Sequence, residues 1–314
     1  MVRNLKIGTR GSPLALWQAE WVREQLQAVH PEIQIELVTI RTQGDLVLDT
    51  PLPLIGGKGL FTSEIERALR NGEIDLAVHS LKDLPTSGCE GLELAAICER
   101  ADPRDALIAR GANLLRDLPE GATVATGSMR RAAQVLHLRP DLRIAPLRGN
   151  VGTRLRKFDE SEWDAMLLAH AGLERLGMES RISAILEPAE ILPAPSQGAI
   201  AVQIHAEAHR VRMIVSVLDH LETRQAVTAE RAFLQKLEGG CQAPIAALAA
   251  IENDWLTLDG LIASPDGKVL LRDRAEGNPH NAENIGQTLA ERLLQCGGKE
   301  LIAHCGTNHP SEKK

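Results

Sequence analysis

The sequence predicts an α/β protein made of two similar lobes followed by a small α+β domain. Three observations predict it. Short apolar runs of the buried-strand kind alternate with stretches of helical periodicity through about residue 217. The junctions echo one another: Ile7-Gly8-Thr9-Arg10-Gly11-Ser12 before one helix resembles Val124-Ala125-Thr126-Gly127-Ser128 before another, and Asp75-Leu76-Ala77-Val78 resembles Asp164-Ala165-Met166-Leu167-Leu168. From about Leu221 the texture changes to one long helix and a set of apolar stretches. A chain of 314 residues exceeds what one hydrophobic core usually serves. The expected division is 1–99 with 199–217 as lobe one, 104–193 as lobe two, and 221–314 as the C-terminal domain.

Taken in order, Leu5–Ile7 is a short buried strand. Ser12 is a helix N-cap, with Pro13 at the first helical position. Leu14, Trp17, Trp21, Val22, Leu26 and Val29 recur at helical spacing until His30-Pro31 stops them. Ile33, Ile35 and Leu37 alternate as in a strand. Residues 42–59 lack periodicity and carry four glycines and two prolines, which reads as a mobile lid loop. Ser63-Glu64-Ile65-Glu66 reads as a capping box opening the next helix. Ile74–Val78 is a buried strand running into His79-Ser80-Leu81-Lys82-Asp83-Leu84-Pro85. Glu99–Asp105 and Leu192–Gly198 are short, proline-containing crossovers that make a hinge between lobes, and Ala199–Ile204 returns to lobe one. Glu222–Leu237 is a helix ending at Glu238-Gly239-Gly240. Strands near Ile245–Ile251, Trp255–Leu261 and Val269–Leu271 follow, then a helix near Ala282–Cys296 and a frayed tail from Gly306.

Composition excludes several classes. With 44% hydrophobic and 25% charged residues the chain is globular in type. No window holds the roughly 18 apolar residues of a membrane span, and no apolar signal region opens the chain, so a cytoplasmic location is expected. A net charge of -7 and 2% aromatic residues, none of them Tyr, argue against a nucleic-acid partner. None of the five cysteines forms a C-x-x-C pair and no H-E-x-x-H occurs, so neither a metal site nor a redox motif is expected.

Against that acidic background, arginine recurs where buried strands turn into helices. Arg10, the pair Arg130 and Arg131, Arg148 and Arg154, and Arg175 all stand there. In open α/β sheets this edge is the ligand crevice. Guanidinium forks bind carboxylate or phosphate bidentately, so several of them imply a small polyanionic ligand. Asp83 stands just past a strand end beside Lys82 and near His79 and Ser80; it reads as a charge-stabilising or proton-moving carboxylate, or as a loop cap. Cys241, after two glycines, reads equally as an exposed covalent attachment point and as a small buried apolar residue. Lys58, in Gly56-Gly57-Lys58-Gly59, is no phosphate loop, since Ser or Thr does not follow it; it is a lysine that closes over an anion or a solvated one. Gln18, one turn past Leu14, either faces the cleft or is a polar surface residue.

Together these segments resemble the porphobilinogen deaminase (hydroxymethylbilane synthase) family. The matching runs are Thr9–Gln18, Gly56–Phe61, His79–Pro85, Ser128–Arg131, Arg148–Asp159, Ala171–Gly177 and Leu237–Cys241, in the family's order over nearly the whole chain. The resemblance implies two lobes like type II periplasmic binding proteins, and a dipyrromethane cofactor joined to Cys241 by a thioether. It implies head-to-tail condensation of four porphobilinogen molecules, each step releasing ammonia, by a monomer. It assigns Asp83 to stabilising the electron-poor ring. It places Lys82, Ser80, Ser128, Arg130 and Arg131 on cofactor carboxylates. Arg10, Gln18, Arg148, Arg154 and Arg175 fall on substrate or growing chain, and Lys58 and Phe61 in the lid. Gly127 stands where the family often has Ser, Ser196 where Gly is frequent, and His205 where some members carry Cys. The competing readings are a two-lobed receptor for a polyanionic metabolite and, more weakly, a cysteine hydrolase. The receptor has no use for Asp83 or Cys241, and no His-plus-Asn partner motif lies near Cys241 for the hydrolase.

Overall fold

The computed structural model describes residues 4–46, 62–237 and 243–307. In chain order the elements are β1 (Asn4–Thr9), α1 (Pro13–Val29), β2 (Gln34–Thr39), α2 (Gln43–Leu46), α3 (Ser63–Arg70), β3 (Leu76–Ser80) and β4 (Leu92–Ile97). Next come β5 (Asp105–Ala109), β6 (Thr123–Ala125), α4 (Met129–Leu138), β7 (Arg143–Ala145), α5 (Val151–Asp159), β8 (Ala165–Ala169), α6 (His170–Glu174) and β9 (Ala184–Leu186). The chain continues through β10 (Ile200–His205), α7 (His209–Val215), α8 (Leu221–Leu237), β11 (Ile245–Glu252), β12 (Trp255–Ala263), β13 (Leu270–Gly277), α9 (Ala282–Leu293) and α10 (Lys299–Thr307).

Two five-stranded sheets share one plan. The first runs β2-β1-β3-β10-β4 and the second β7-β6-β8-β5-β9. In each, four strands run in one direction and one runs against them, β10 in the first and β5 in the second. The sequence echo has a structural meaning. The Asp75 carboxylate accepts from Lys6 N at 2.7 Å, and the Asp164 carboxylate accepts from Thr123 N at 2.7 Å. Each aspartate thus pins the start of a parallel strand to its neighbour. Ser12 accepts from Ala15 N as an N-cap of α1, and Ser128 from Arg131 N as that of α4, as their helix-opening positions require.

The third sheet, β11-β12-β13, is antiparallel. It buries Leu256, Leu258 and Ile262 against Phe233 of α8 and Leu289 of α9. A Cβ at Gly286 would stand 2.2 Å from the Ala229 carbonyl oxygen, so only glycine lets these two helices approach so closely.

The crossovers meet at a buried carboxylate. Glu230 on α8 accepts from Arg100 Nη1 and Nη2 at 2.6 and 3.1 Å, from Ser196 N at 2.6 Å and from Ala249 N at 2.8 Å. One side chain therefore ties both crossovers to the C-terminal domain. Ser196 adopts φ 64°, the left-handed conformation that favours glycine.

Some expectations are corrected. The Ser63–Glu66 capping box does not form: Thr62 holds the N-cap position of α3 without a side-chain cap bond, and the buried Glu66 turns to Gln203 on β10. The aperiodic segment opens with the short helix α2, and the remainder, with Lys58 and Phe61, lies outside the described residues. Helix α10 includes Gly306 and ends at Thr307, and the rest of the tail expected to fray lies outside the described residues.

Candidate active site

The segment after β3 builds one wall. β3 delivers His79 and Ser80 to its C-terminal end, and a single 3-10 turn, Leu81–Asp83, then points Lys82 and Asp83 outward while Leu81 is buried beneath them. Asp83 shares a cleft with Arg10, Gln18, Thr62, His79 and Ser80. Gln18 is buried and exchanges hydrogen bonds with Ser80 Oγ at 2.9 and 3.1 Å. Burial, opposed by a hydrogen bond with Gln203 and assisted by the charge of Arg10, pushes the His79 imidazole down to about 4, so it is neutral at physiological pH.

The facing wall belongs to lobe two. Arg130 and Arg131, in the first turn of α4, are buried. Asp105, at the start of β5 and wholly buried, holds both: Oδ2 lies 2.8 Å from Arg130 Nη1, and Oδ1 accepts from Arg131 Nη2 at 2.7 Å and Nε at 3.1 Å. Arg130 also donates to Leu192 O and Arg131 to Leu167 O, at 2.7 and 3.0 Å. Desolvation raises the Asp105 carboxyl, and the two guanidiniums outweigh it, holding the pKa far below the usual carboxylate range. Arg154, on α5, donates to Gly149 O at 2.7 Å. Burial pushes it down to about 10, with the charges of Arg131 and Arg148 acting the same way and that of Asp83 opposing. Arg148 Nη1 is buried without a hydrogen-bond partner.

Lys82 connects the walls. The residue as a whole is exposed, yet its ammonium bonds Gln197 Oε1 at 3.2 Å on the second crossover. Enclosure of that head pushes it down to about 8, the charges of Arg131 and Arg130 adding to the effect and Asp83 and Asp105 resisting it. Gln197 in turn donates to Asp105 Oδ1 at 2.8 Å. Lys82, Arg130, Arg131, Arg148 and Arg154 thus share one electrostatic neighbourhood with the carboxylates of Asp83 and Asp105. That excess of positive charge, with an unpartnered guanidinium nitrogen, fits a ligand carrying several carboxylates.

Arg175 stands apart from this group. Its Nη2 donates to Gly198 O at 2.7 Å, and its guanidinium lies 5.6 Å from the Trp17 ring centroid, so it bridges lobe two to α1. Ser128 is partly buried and occupied in capping α4. A Cβ on Gly127 would stand 2.3 Å from the Leu147 carbonyl oxygen. The glycine therefore does more than omit a hydroxyl: the chain beside it has closed over the space. His205 is half-buried, its Nδ1 accepting from Glu207 N. Cys241 and Lys58 lie outside the described residues. Among the described residues no cluster of metal-ligating side chains occurs.

Sequence reasoning missed Asp105, Gln197 and Thr62. A charged residue opening the apolar strand Asp105–Ala109 was the available signal for the first. Thr62 and Gln197 carried none.

Comparison with known proteins identifies the family of this chain. A family model described as "Porphobilinogen deaminase, dipyromethane cofactor binding domain" matches residues 5–213, and one described as "Porphobilinogen deaminase, C-terminal domain" matches 224–295. A porphobilinogen deaminase of Pelotomaculum thermopropionicum is 50% identical over 302 residues, covering 96% of this chain and 97% of the relative. Among solved structures, a TRAP periplasmic solute binding protein from Desulfovibrio salexigens aligns with a TM-score of 0.43 and 10% identity, covering 99% of this chain and 82% of that one. The methionine binding protein MetQ aligns with a TM-score of 0.42 and 16% identity, covering 69% and 90%.

Proposed function

Because this chain belongs to the porphobilinogen deaminase family, we propose that the cleft between the Asp83 turn and the Arg148–Arg154 segment is the site of its reaction. The enzyme is a hydroxymethylbilane synthase, a transferase that condenses four porphobilinogen molecules head to tail with release of ammonia. When bound, its dipyrromethane cofactor supplies the primer to which the first ring is joined. Cys241, in the Gly239-Gly240-Cys241 segment, is the proposed attachment point through a thioether.

The chain's own residues divide the work by charge. Asp83 offers a carboxylate to the substrate's pyrrole N–H and stabilises the positive charge that develops as ammonia departs, a preorganised electrostatic role. Lys82, Ser80 and Ser128 take cofactor carboxylates in this assignment. Arg130 and Arg131 belong to the same set, but their contribution is chiefly the field, since Asp105 cancels one of their two charges. Arg148 and Arg154 take carboxylates of the substrate and the growing chain, with Arg10 and Gln18 on the Asp83 side, Arg175 at the junction and Lys58 from the lid. The observation that carries this assignment is the coupling of Asp83 to Arg154 across the two walls, with Lys82 beside Asp83 reaching Gln197 Oε1 of the second crossover at 3.2 Å.

We further propose a cytoplasmic monomer acting on a small molecule, with neither nucleic acid nor membrane as partner. Its domains are 1–99 with 199–217, 104–193 and 221–314. The acidic balance supports this, and no helix among the described residues is long and apolar enough to cross a membrane. Intact mass of the purified enzyme tests the central claim. A covalent adduct of two pyrrole units is expected, present in Asp83→Asn but absent in Cys241→Ser. Asp83→Asn is expected to lose about 10²–10⁴-fold in kcat, the usual share of such a group. A bare polypeptide mass from cofactor-replete cells, or near-normal turnover by Asp83→Asn, would overturn the assignment.

A further inference from the structure

The turn that carries Asp83 is too short to hold itself. Leu81–Asp83 is a single 3-10 turn whose closing bond, Leu84 N to Leu81 O, spans 3.2 Å. Asp83 is exposed, so packing does not fix its carboxylate; the backbone beneath it does. That backbone rests on α8 of the C-terminal domain. Val227 of α8 is buried in one apolar cluster with Leu81 and Leu84. Arg231, one helical turn further on and so on the same face, reaches the main chain on both sides of Asp83. Its Nη2 donates to Pro85 O at 2.6 Å and its Nη1 to Leu84 O at 3.2 Å, with Leu81 O at 3.5 Å from the same Nη1. The rigid guanidinium fork thus spans the turn from its first residue to the proline that follows it. The same helix carries Glu230, which ties down the crossovers, and it ends at Leu237, shortly before Gly239-Gly240-Cys241.

We propose that Arg231 is a positioning residue for the reaction: by clamping the carbonyls of Leu84 and Pro85 it holds the Asp83 carboxylate where the pyrrole N–H of the substrate meets it. The inference rests on the function proposed above and deepens it. Arg231 does not line the Asp83 cleft; it shares a separate recess with Leu84 and Pro85, so it acts through the turn and touches no reacting atom. The positive charge that Asp83 stabilises exists only as ammonia departs, and a carboxylate held in place beforehand has no reorganisation to undergo at that moment. The substrate's own carboxylates are gripped chiefly by arginines of the facing lobe. Loosening the turn therefore costs the chemical step more than binding, and a misplacement of about 1 Å is enough to cost about 10²-fold.

A double-mutant cycle in the holoenzyme tests this, with rates taken per adduct-bearing molecule as counted by intact mass. Arg231→Met keeps most of the bulk and removes the donors; Arg231 is half-buried, so water can reach the carbonyls it leaves. The variant is expected to lose about 10²-fold in kcat with KM for porphobilinogen changed less than about threefold. On an Asp83→Asn background the same change is expected to cost less than about threefold, because the group it positions has already gone. Equal losses in both backgrounds, or a raised KM with kcat intact, overturn the proposal. Arg231→Lys repeats the cycle with charge and one donor retained, so that the fold is least disturbed: about tenfold loss is expected with Asp83 present and none without it, and equal losses again overturn it. The two readings fail separately. Near-normal turnover by Asp83→Asn would strike at the role of Asp83 itself, whereas additive losses with Asp83→Asn already slow would strike only at Arg231.

Discussion

Replacing Asp105 by Asn probes the lobe-two wall where its charge balance is most exposed to failure. The wild-type carboxylate is wholly buried and meets Arg130, Arg131 and Gln197 at 2.7–3.1 Å. Asn keeps the shape but supplies one acceptor and one donor, so its amide nitrogen must face a guanidinium or the Gln197 amide. Two buried cations are then left without a counter-charge. Removing one partner of a buried ion pair costs about 3–5 kcal/mol. At roughly 1.4 kcal/mol per factor of ten, that is about 10² to a few times 10³-fold in the local folding equilibrium. Hydrogen–deuterium exchange reads this directly. Amides of β8, whose Leu167 carbonyl also receives Arg131, are expected to lose about that much protection, with a smaller loss for amides of β3 in lobe one. A fall of less than about tenfold on β8 would refute the view that Asp105 is what makes two adjacent buried arginines tolerable.

Two further outcomes follow from named groups. Lys82, pushed down to about 8, holds its anion-binding charge below that pH and loses it as pH rises. kcat/KM is therefore expected to fall above pH 8, with the limb moved upward in kcat because bound carboxylates raise the ammonium's pKa; Lys82→Arg should flatten the limb, and an unaltered profile in that variant would assign it elsewhere. Ser196 pays for its left-handed backbone with strain and also buries an unpartnered hydroxyl. Ser196→Gly is expected to raise stability by about 0.5–1 kcal/mol, since the relief of strain exceeds glycine's entropic cost; a lower denaturant midpoint would mean that the hydroxyl stabilises the crossover.

What was legible in the sequence was what local chemistry decides. Ser12 and Ser128 announce their helices because an N-cap acts within three residues, and Asp75 and Asp164 announce their strands because each sits one residue before an apolar run. The arginine junctions were visible for the same reason, and so was the sign of the cleft. Glu66 shows where this stops. Its spacing from Ser63 fits a capping box worth about 1 kcal/mol, yet the side chain turns into the sheet, where a buried Gln203 amide would otherwise lose a partner at a cost of about 1–3 kcal/mol. The long-range demand is the larger, and it comes from a residue 137 positions away, which no local pattern displays. Asp105 makes the same point for the site's electrostatics. Arg130 and Arg131 advertise two positive charges in sequence, but their shared carboxylate lies about two dozen residues upstream and removes one of them. Counting arginines therefore overstates the pull of the cleft on its ligand, and it is Lys82, Arg148 and Arg154, whose charges Asp105 does not neutralise by direct pairing, that must carry most of the grip on an acid-bearing chain.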